Sequence, residues 1–303
     1  MMLKKVPLPV TGVALGLAAL GNLLQSYSET VRLFCGALSA LLLILFLLKL
    51  IRYPAAFAED MKNPIMASVF CTFPMASMLL AGYLKPFAAG AATALWYAAI
   101  ILHVVLIVFF TKRFMLNLQM PKVFASYYIV YVGIATASVT APAFGAQTLG
   151  TVIFWFAFAA FLALLVLVTV RYVKYREIPE PARSLFCIYA APASLCLAGY
   201  IQSVAAKSAG MVQFQAVLAS ALYVLVLVNL PKYLKYKFYP SCAAFTFPFV
   251  ISAIAIKQTA AFLTKMQTPV PALSYVVLFE TAVAVILVFY TLFRYVSFIT
   301  SDK

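Results

Sequence analysis

Ten apolar stretches follow one another along almost the whole chain, at about 7–25, 31–51, 64–84, 88–110, 121–141, 148–172, 182–203, 211–230, 240–263 and 270–297. An α-helix needs roughly 20 mostly apolar residues to cross the hydrocarbon of a bilayer. Barrel strands are roughly half as long and alternate polar with apolar residues, which these stretches do not. Composition agrees, since 66% of the 303 residues are hydrophobic and 10% are charged. A soluble domain is about half apolar and a quarter charged. So much apolar surface does not fit inside one soluble core, and lipid is the expected solvent. The expected fold is therefore an all-α integral membrane protein. The connections leave no room for a soluble domain, so residues 1–303 are read as one transmembrane domain. The first stretch lacks a small-residue cleavage pattern and reads as part of the body rather than as a signal peptide.

The net charge of +15 first suggests nucleic acid or another acidic partner. Placing the charges removes that reading. With Met1 in the cytoplasm and ten crossings, seventeen of the 22 Lys and Arg residues, from Lys4 to Lys303, fall on the cytoplasmic side. The other side holds five: Arg32, Lys85, Lys207, Lys257 and Lys265. This is the positive-inside bias of a membrane protein, and it puts both termini in the cytoplasm. No nucleic-acid partner is expected. Cys35, Cys71, Cys187, Cys196 and Cys242 lie within or beside apolar spans with no CxxC spacing. They read as packing residues, not as a disulfide framework or a metal site.

Prolines set a repeat. Pro7, Pro64, Pro121, Pro181 and Pro240 each stand where an odd-numbered span begins, at spacings of 57, 57, 60 and 59 residues. Proline suits a first helical turn, where its missing N–H would be unpaired anyway. A fixed period means repeated architecture. Here the unit is a helical hairpin, about 7–53, 64–113, 121–175, 181–235 and 240–297. The odd spans carry Gly12, Gly16 and Gly21, Pro74 and Gly82, Gly133, Pro192 and Gly199, and Pro248. The even spans read LLLILFLL, IILHVVLIVFF, FLALLVLVTV and YVLVLVNL. Bulky aliphatics suit lipid, whereas small residues let backbones approach closely. A mid-helix proline kinks a helix, which is tolerated at membrane depth where neighbours or a water-filled cavity satisfy the freed carbonyls. The expected arrangement is ten transmembrane helices in five hairpins, in quasi-fivefold array around a central pore. The odd helices stand inside and the even helices outside.

Within the ninth span, AAFTFPFVISA (243–253) interrupts the helix with Phe245, Phe247, Pro248 and Phe249. At about 100° per residue, Phe245 and Phe249 share a face and Phe247 points away from it. Ala243 and Ala244 leave the face beneath Phe247 small. Pro248 is expected to bend the helix directly after the ring. Taken alone, the three rings read as core packing.

Several stretches carry a resemblance. PLPVTGVALGLAALGN (7–22), FPMASMLLAGY with Pro74, EPARSLFCIYAAPASLCLAGYI (180–201) with Pro192, and AAFTFPF appear in the order and spacing of a known family. The chain resembles the family of the tellurite-resistance protein TehA, the plant guard-cell slow anion channel and the fungal malate permease. The resemblance implies ten helices around a pore, assembly as a homotrimer with one pore per subunit, and a phenylalanine plugging the pore from the ninth helix. On the Phe-x-Phe match that residue is Phe247. Some relatives place a second phenylalanine on the fifth helix, where this chain has Tyr131, Val132 and Gly133 as the gate-facing candidates.

Ionisable groups inside a membrane mark pathways by default. Lys257 lies ten residues beyond Phe247, about 15 Å along a helix. Glu280 falls at a similar depth on the tenth span, so the two are expected to be neighbours. One reading makes Lys257 an attractor of anions with Glu280 holding it. The other makes them an ion pair locking the last hairpin. The helical phase favours Gln258 over Lys257 for the Phe247 face. His103, on an even span, reads as a hydrogen-bonding partner to a neighbouring helix rather than a proton relay. There is no Walker motif, GxSxG, HExxH or pair of catalytic carboxylates, so no enzyme and no cofactor are expected. The resulting expectation is an anion channel or channel-like transporter of small inorganic or organic anions in the cell inner (plasma) membrane. The alternative is a secondary carrier for dicarboxylates such as malate, or for sulfite or tellurite oxyanions.

Overall fold

In the computed structural model, which describes residues 2–301, every regular element is helical. Met1, Asp302 and Lys303, and with the last the Lys303 charge placed above, lie outside the described residues. Eight segments are long and apolar enough to cross a membrane: Glu29–Arg52, Pro64–Leu84, Ala89–Met115, Gln147–Lys174, Glu180–Ser203, Ala209–Leu234, Pro240–Lys265 and Ala272–Thr300. A shorter apolar helix, Val10–Leu24, precedes them. Between Ala89–Met115 and Gln147–Lys174 the chain forms two short helices, Tyr127–Tyr131 and Ala135–Thr140. Helix starts follow local chemistry. Ser28 and Ser208 each accept a bond from a backbone N–H three residues on, and Asn63 caps the helix that begins at Pro64. A short exposed helix, Pro54–Asp60, was not foreshadowed by the hydropathy pattern.

Two kinds of segment alternate. In Pro64–Leu84, Glu180–Ser203 and Pro240–Lys265, the most apolar stretch is 72%, 89% and 72% buried, against 33% in each of the other five. Val10–Leu24 is buried over nearly its whole length. The buried segments pack on one another in turn. Val10–Leu24 meets Thr72–Leu84, which meets Ala135–Thr140, which meets Pro192–Ser203; this meets Phe247–Lys265, which returns to Val10–Leu24. The two ends of the chain also come together, where Lys5 Nζ donates to the Ser301 carbonyl at 2.5 Å.

Four of the buried segments are broken at mid-length. Pro64–Phe70 gives way at Cys71 to Thr72–Leu84, and Tyr127–Tyr131 is separated from Ala135–Thr140 by Val132–Ile134. The other two change type: a 3-10 turn, Glu180–Ala190 or Pro240–Phe245, precedes an α-helix, Pro192–Ser203 or Phe247–Lys265. At three of the breaks a hydroxyl adds a bond to a local carbonyl. Thr72 Oγ1 donates to Val69 O at 2.8 Å, Ser194 Oγ to Ala190 O at 3.0 Å, and Thr246 Oγ1 to Ala243 O at 2.7 Å. A net intramolecular hydrogen bond contributes about 0.5–1.5 kcal/mol, so these residues belong to the breaks as much as the prolines do.

The proline placement differs from the sequence reading in one respect. Pro248 does not bend the helix after the Phe247 ring; the break is at Thr246 (φ −100°, ψ −91°), one residue before it. Pro192 and Pro248 stand in the first turn of the second half-helix, where no N–H is needed. Pro74 is the third residue of Thr72–Leu84. Prolines therefore start the second halves, and the preceding residues take the distortion.

Candidate functional site

Phe247 opens its α-helix, so its side chain leaves the backbone at the break itself. The ring is 7% exposed and borders two cavities, as does Leu195. The first cavity, on the side of the chain termini, has a volume of about 60 Å³. A water molecule needs about 10–15 Å³ of such space, so a few waters fit. Its walls come from all five buried segments, with Gly12, Thr72, Gly133, Pro192, Ala243 and Ala244 among them. The second cavity, of about 250 Å³, lies on the far side of the ring and is more polar, with Asn22, Arg32, Thr136, Thr140 and Gln258 in its walls.

The other two rings of the ninth segment serve packing. Phe249 is fully buried and meets the Tyr223 ring edge-on at 5.7 Å. Phe245 is 1% exposed, and neither ring borders a cavity around Phe247. On the fifth segment, Val132 and Gly133 line the smaller cavity. Tyr131 does not; it turns toward the preceding long helix, shares a hydrogen bond with the Thr111 hydroxyl at 2.9 Å and packs near Phe110.

Lys257 and Glu280 do not pair. Lys257 Nζ donates to Leu23 O at 2.9 Å and to Ser26 Oγ at 2.6 Å, and lies 5.4 Å from the Tyr27 ring centre. It therefore ties the ninth segment to the end of the first. Glu280 is 2% exposed, with Oε2 lacking a partner among the described residues. The expectation of proximity came from equal depth on antiparallel helices, but the Lys257 side chain leaves on the side that faces Val10–Leu24. Gln258, its neighbour, faces the larger cavity instead. His103 is buried, and its Nε2 donates to Val130 O at 2.9 Å, joining an outer helix to the fifth segment.

The residues that sequence reasoning missed are Arg32, Asn22, Thr136 and Leu195. Arg32 was counted only as a charge on the far side. Its segment is mostly exposed to the surroundings, and nothing local in its sequence shows that the guanidinium reaches inward. A third recess, of about 1280 Å³, opens at the termini end with Lys122, Arg176 and Arg183 facing Glu59, Asp60 and Glu177. Its charge is mixed. Burial pushes the Asp60 carboxyl above the usual carboxylate range, with Lys49 opposing and Glu59 adding to the rise.

Fold and site together define a multi-pass helical membrane protein whose buried segments enclose polar and apolar space on two sides of one aromatic ring. Over residues 5–296 the chain matches the voltage-dependent anion channel family, and it belongs to that family. Among curated proteins, none matches significantly. Membership brings the family's activity, movement of anions across a bilayer by channels or transporters.

Proposed function

We propose that this protein is a channel for small anions, closed in the described state by the Phe247 ring. The observation that carries the reading is that Phe247 borders both cavities, whose walls come almost wholly from the five buried segments. Ten crossings in five hairpins, quasi-fivefold with the odd segments inside, account for the alternation of burial and for the circuit of contacts that returns to the first segment. The whole chain then acts as one transmembrane domain, with both termini in the cytoplasm and the protein in the inner (plasma) membrane. Assembly as a homotrimer rests on the family resemblance alone.

The breaks give the ring its place. At Thr246 the chain does not run on as one continuous helix. Thr246 instead ends the 3-10 turn, and Ala243 and Ala244 keep the space beneath the ring small-walled. Val132, Gly133 and Leu195 stand opposite as the closing surface. The lining of the smaller cavity holds no charged side chain, which suits a conductive pore, since ions must leave as readily as they enter.

The test is flux into liposomes holding purified protein, with membrane potential clamped by valinomycin and potassium. Potential-driven, non-saturating chloride or nitrate flux that rises in Phe247→Ala supports the channel. Saturable malate or sulfite uptake that ignores the potential, with no gain in Phe247→Ala, replaces it with a carrier.

A further inference from the structure

We infer that the larger cavity contains a built site for a small monovalent anion, with Arg32 as its charged ligand. This deepens the channel reading by naming where an anion rests before it meets the ring. Among the described residues, Arg32 is the only one from an even segment that reaches the walls of either cavity around Phe247. Its side chain is only 11% exposed, although it lies in the first turn of a helix whose surface is otherwise largely open to the surroundings.

Three contacts hold the guanidinium. Nε donates to Asn22 Oδ1 at 3.2 Å, Nη1 pairs with Glu29, and the group lies 4.4 Å over the Tyr83 ring. Tyr83 is itself fixed, with its hydroxyl donating to Ala18 O at 2.7 Å. Gly36 admits the ring, because a Cβ there would lie 2.6 Å from two of its carbons. A guanidinium so braced loses little freedom when it takes a ligand.

The brace leaves part of the hydrogen-bonding capacity of these cavity-lining residues unused. No hydrogen bond from Arg32 Nη2 or Asn22 Nδ2 is formed among the described residues. Thr136 is fully buried, lines the cavity, and its hydroxyl has no partner among the described residues. Gln258 lines the same wall, and its side-chain oxygen is also buried and unpartnered. Its amide can equally be turned to present N–H₂, since the two orientations are interchangeable in shape. Buried polar groups without partners are rare and expensive. Here two such groups, on Thr136 and Gln258, belong to the wall of one space beside a cation.

The chemistry favours single charge. Glu29 already offsets much of the Arg32 charge and Asn22 takes its Nε–H, so little net positive charge remains to balance a dianion. A halide or nitrate needs only that remaining charge plus neutral donors, which Asn22, Thr136 and Gln258 supply. Glu29 is half exposed and reduces the field, which keeps residence short.

The experiment reads binding without conduction. Detergent-solubilised wild-type protein is melted in rising nitrate at constant ionic strength, with gluconate as the balancing anion. A saturable rise in Tm is expected, as for any ligand of the folded state. Arg32→Gln is expected to raise the half-saturating nitrate concentration about tenfold, the size of one lost charge-assisted bond. Thr136→Val, which keeps the shape, raises it about threefold, and Glu29→Gln lowers it. No saturable rise in wild type, or the same nitrate dependence in wild type, Thr136→Val and Glu29→Gln, overturns the site, even if Arg32→Gln does not fold. Phe247 is untouched in this assay, so a failed channel reading and a failed anion site show up separately.

Discussion

Gly16 and Thr246 are in such close contact that a Cβ added to Gly16 would lie 2.5 Å from the Thr246 Cβ and 3.1 Å from the Phe247 nitrogen. The first buried helix is thus pressed against the break that carries the gate candidate. Gly16→Ala must displace that backbone, and overpacking of this kind costs about 1–3 kcal/mol. At Gly12 the nearest atom, the Ala243 Cβ, is 3.2 Å away, so Gly12→Ala should cost less. Melting temperatures of the two variants test this order. A Gly12→Ala that melts below Gly16→Ala would contradict it.

The hydroxyl of Thr246 reaches both sides of the same junction, to Ala243 O at 2.7 Å and Gly12 O at 3.1 Å. Thr246→Val keeps the shape and leaves both carbonyls without that donor. Because Ala243 O keeps its bond from the Thr246 N–H, a loss of about 0.5–1.5 kcal/mol is expected, read from thermal unfolding in detergent. A neutral result would mean that the hydroxyl adds nothing to the junction beyond its backbone bonds.

Lys257 is held by Leu23 and Ser26, not by Glu280. A double-mutant cycle of Lys257→Met and Glu280→Gln should therefore show coupling below about 0.5 kcal/mol, the range of additive, independent sites. Coupling near 2 kcal/mol would restore the ion pair that the geometry denies. Lys257→Met alone should also leave the ratio of chloride to potassium permeability unchanged within about twofold, because the side chain lies off the cavity wall.

Leu195 shares both cavities with Phe247. Its truncation to Ala widens the passage on the other side of the ring, while the ring itself stays. A conductance gain well below that of Phe247→Ala is expected, accompanied by a stability loss of about 2–5 kcal/mol for a buried leucine. Equal gains from the two variants would make the closure a shared contact and not the ring's alone.

Much of the framework can be read from the chain itself. The apolar stretches and the proline period locate the helical segments to within a few residues; 31–51 is observed as Glu29–Arg52 and 148–172 as Gln147–Lys174. Such features are local, and helix length and proline position act through the backbone of their own segment. The site is less legible because its geometry crosses segments. Within the helix that starts at Phe247 the count at 100° per residue does carry through, and Gln258 borders the larger cavity with Phe247 as that phase implies; what the count misses is the 3-10 turn before Thr246. The fifth span is legible only as an apolar stretch, since Gly133 breaks it without a proline. Arg32 sits on a lipid-type helix, and only Tyr83 and Asn22, from two other segments, turn it inward. Lys257 shows the opposite error: a charge at a suggestive depth, on the wrong side of its helix.

The most direct test of the channel closed by Phe247 is current across planar bilayers, recorded in symmetrical chloride for wild type, Phe247→Leu and Phe247→Ala. Near-silent wild type, an intermediate Phe247→Leu and a large anion-selective current in Phe247→Ala are expected. Silence in all three, from protein shown to be folded and inserted, would contradict a pore closed by this ring.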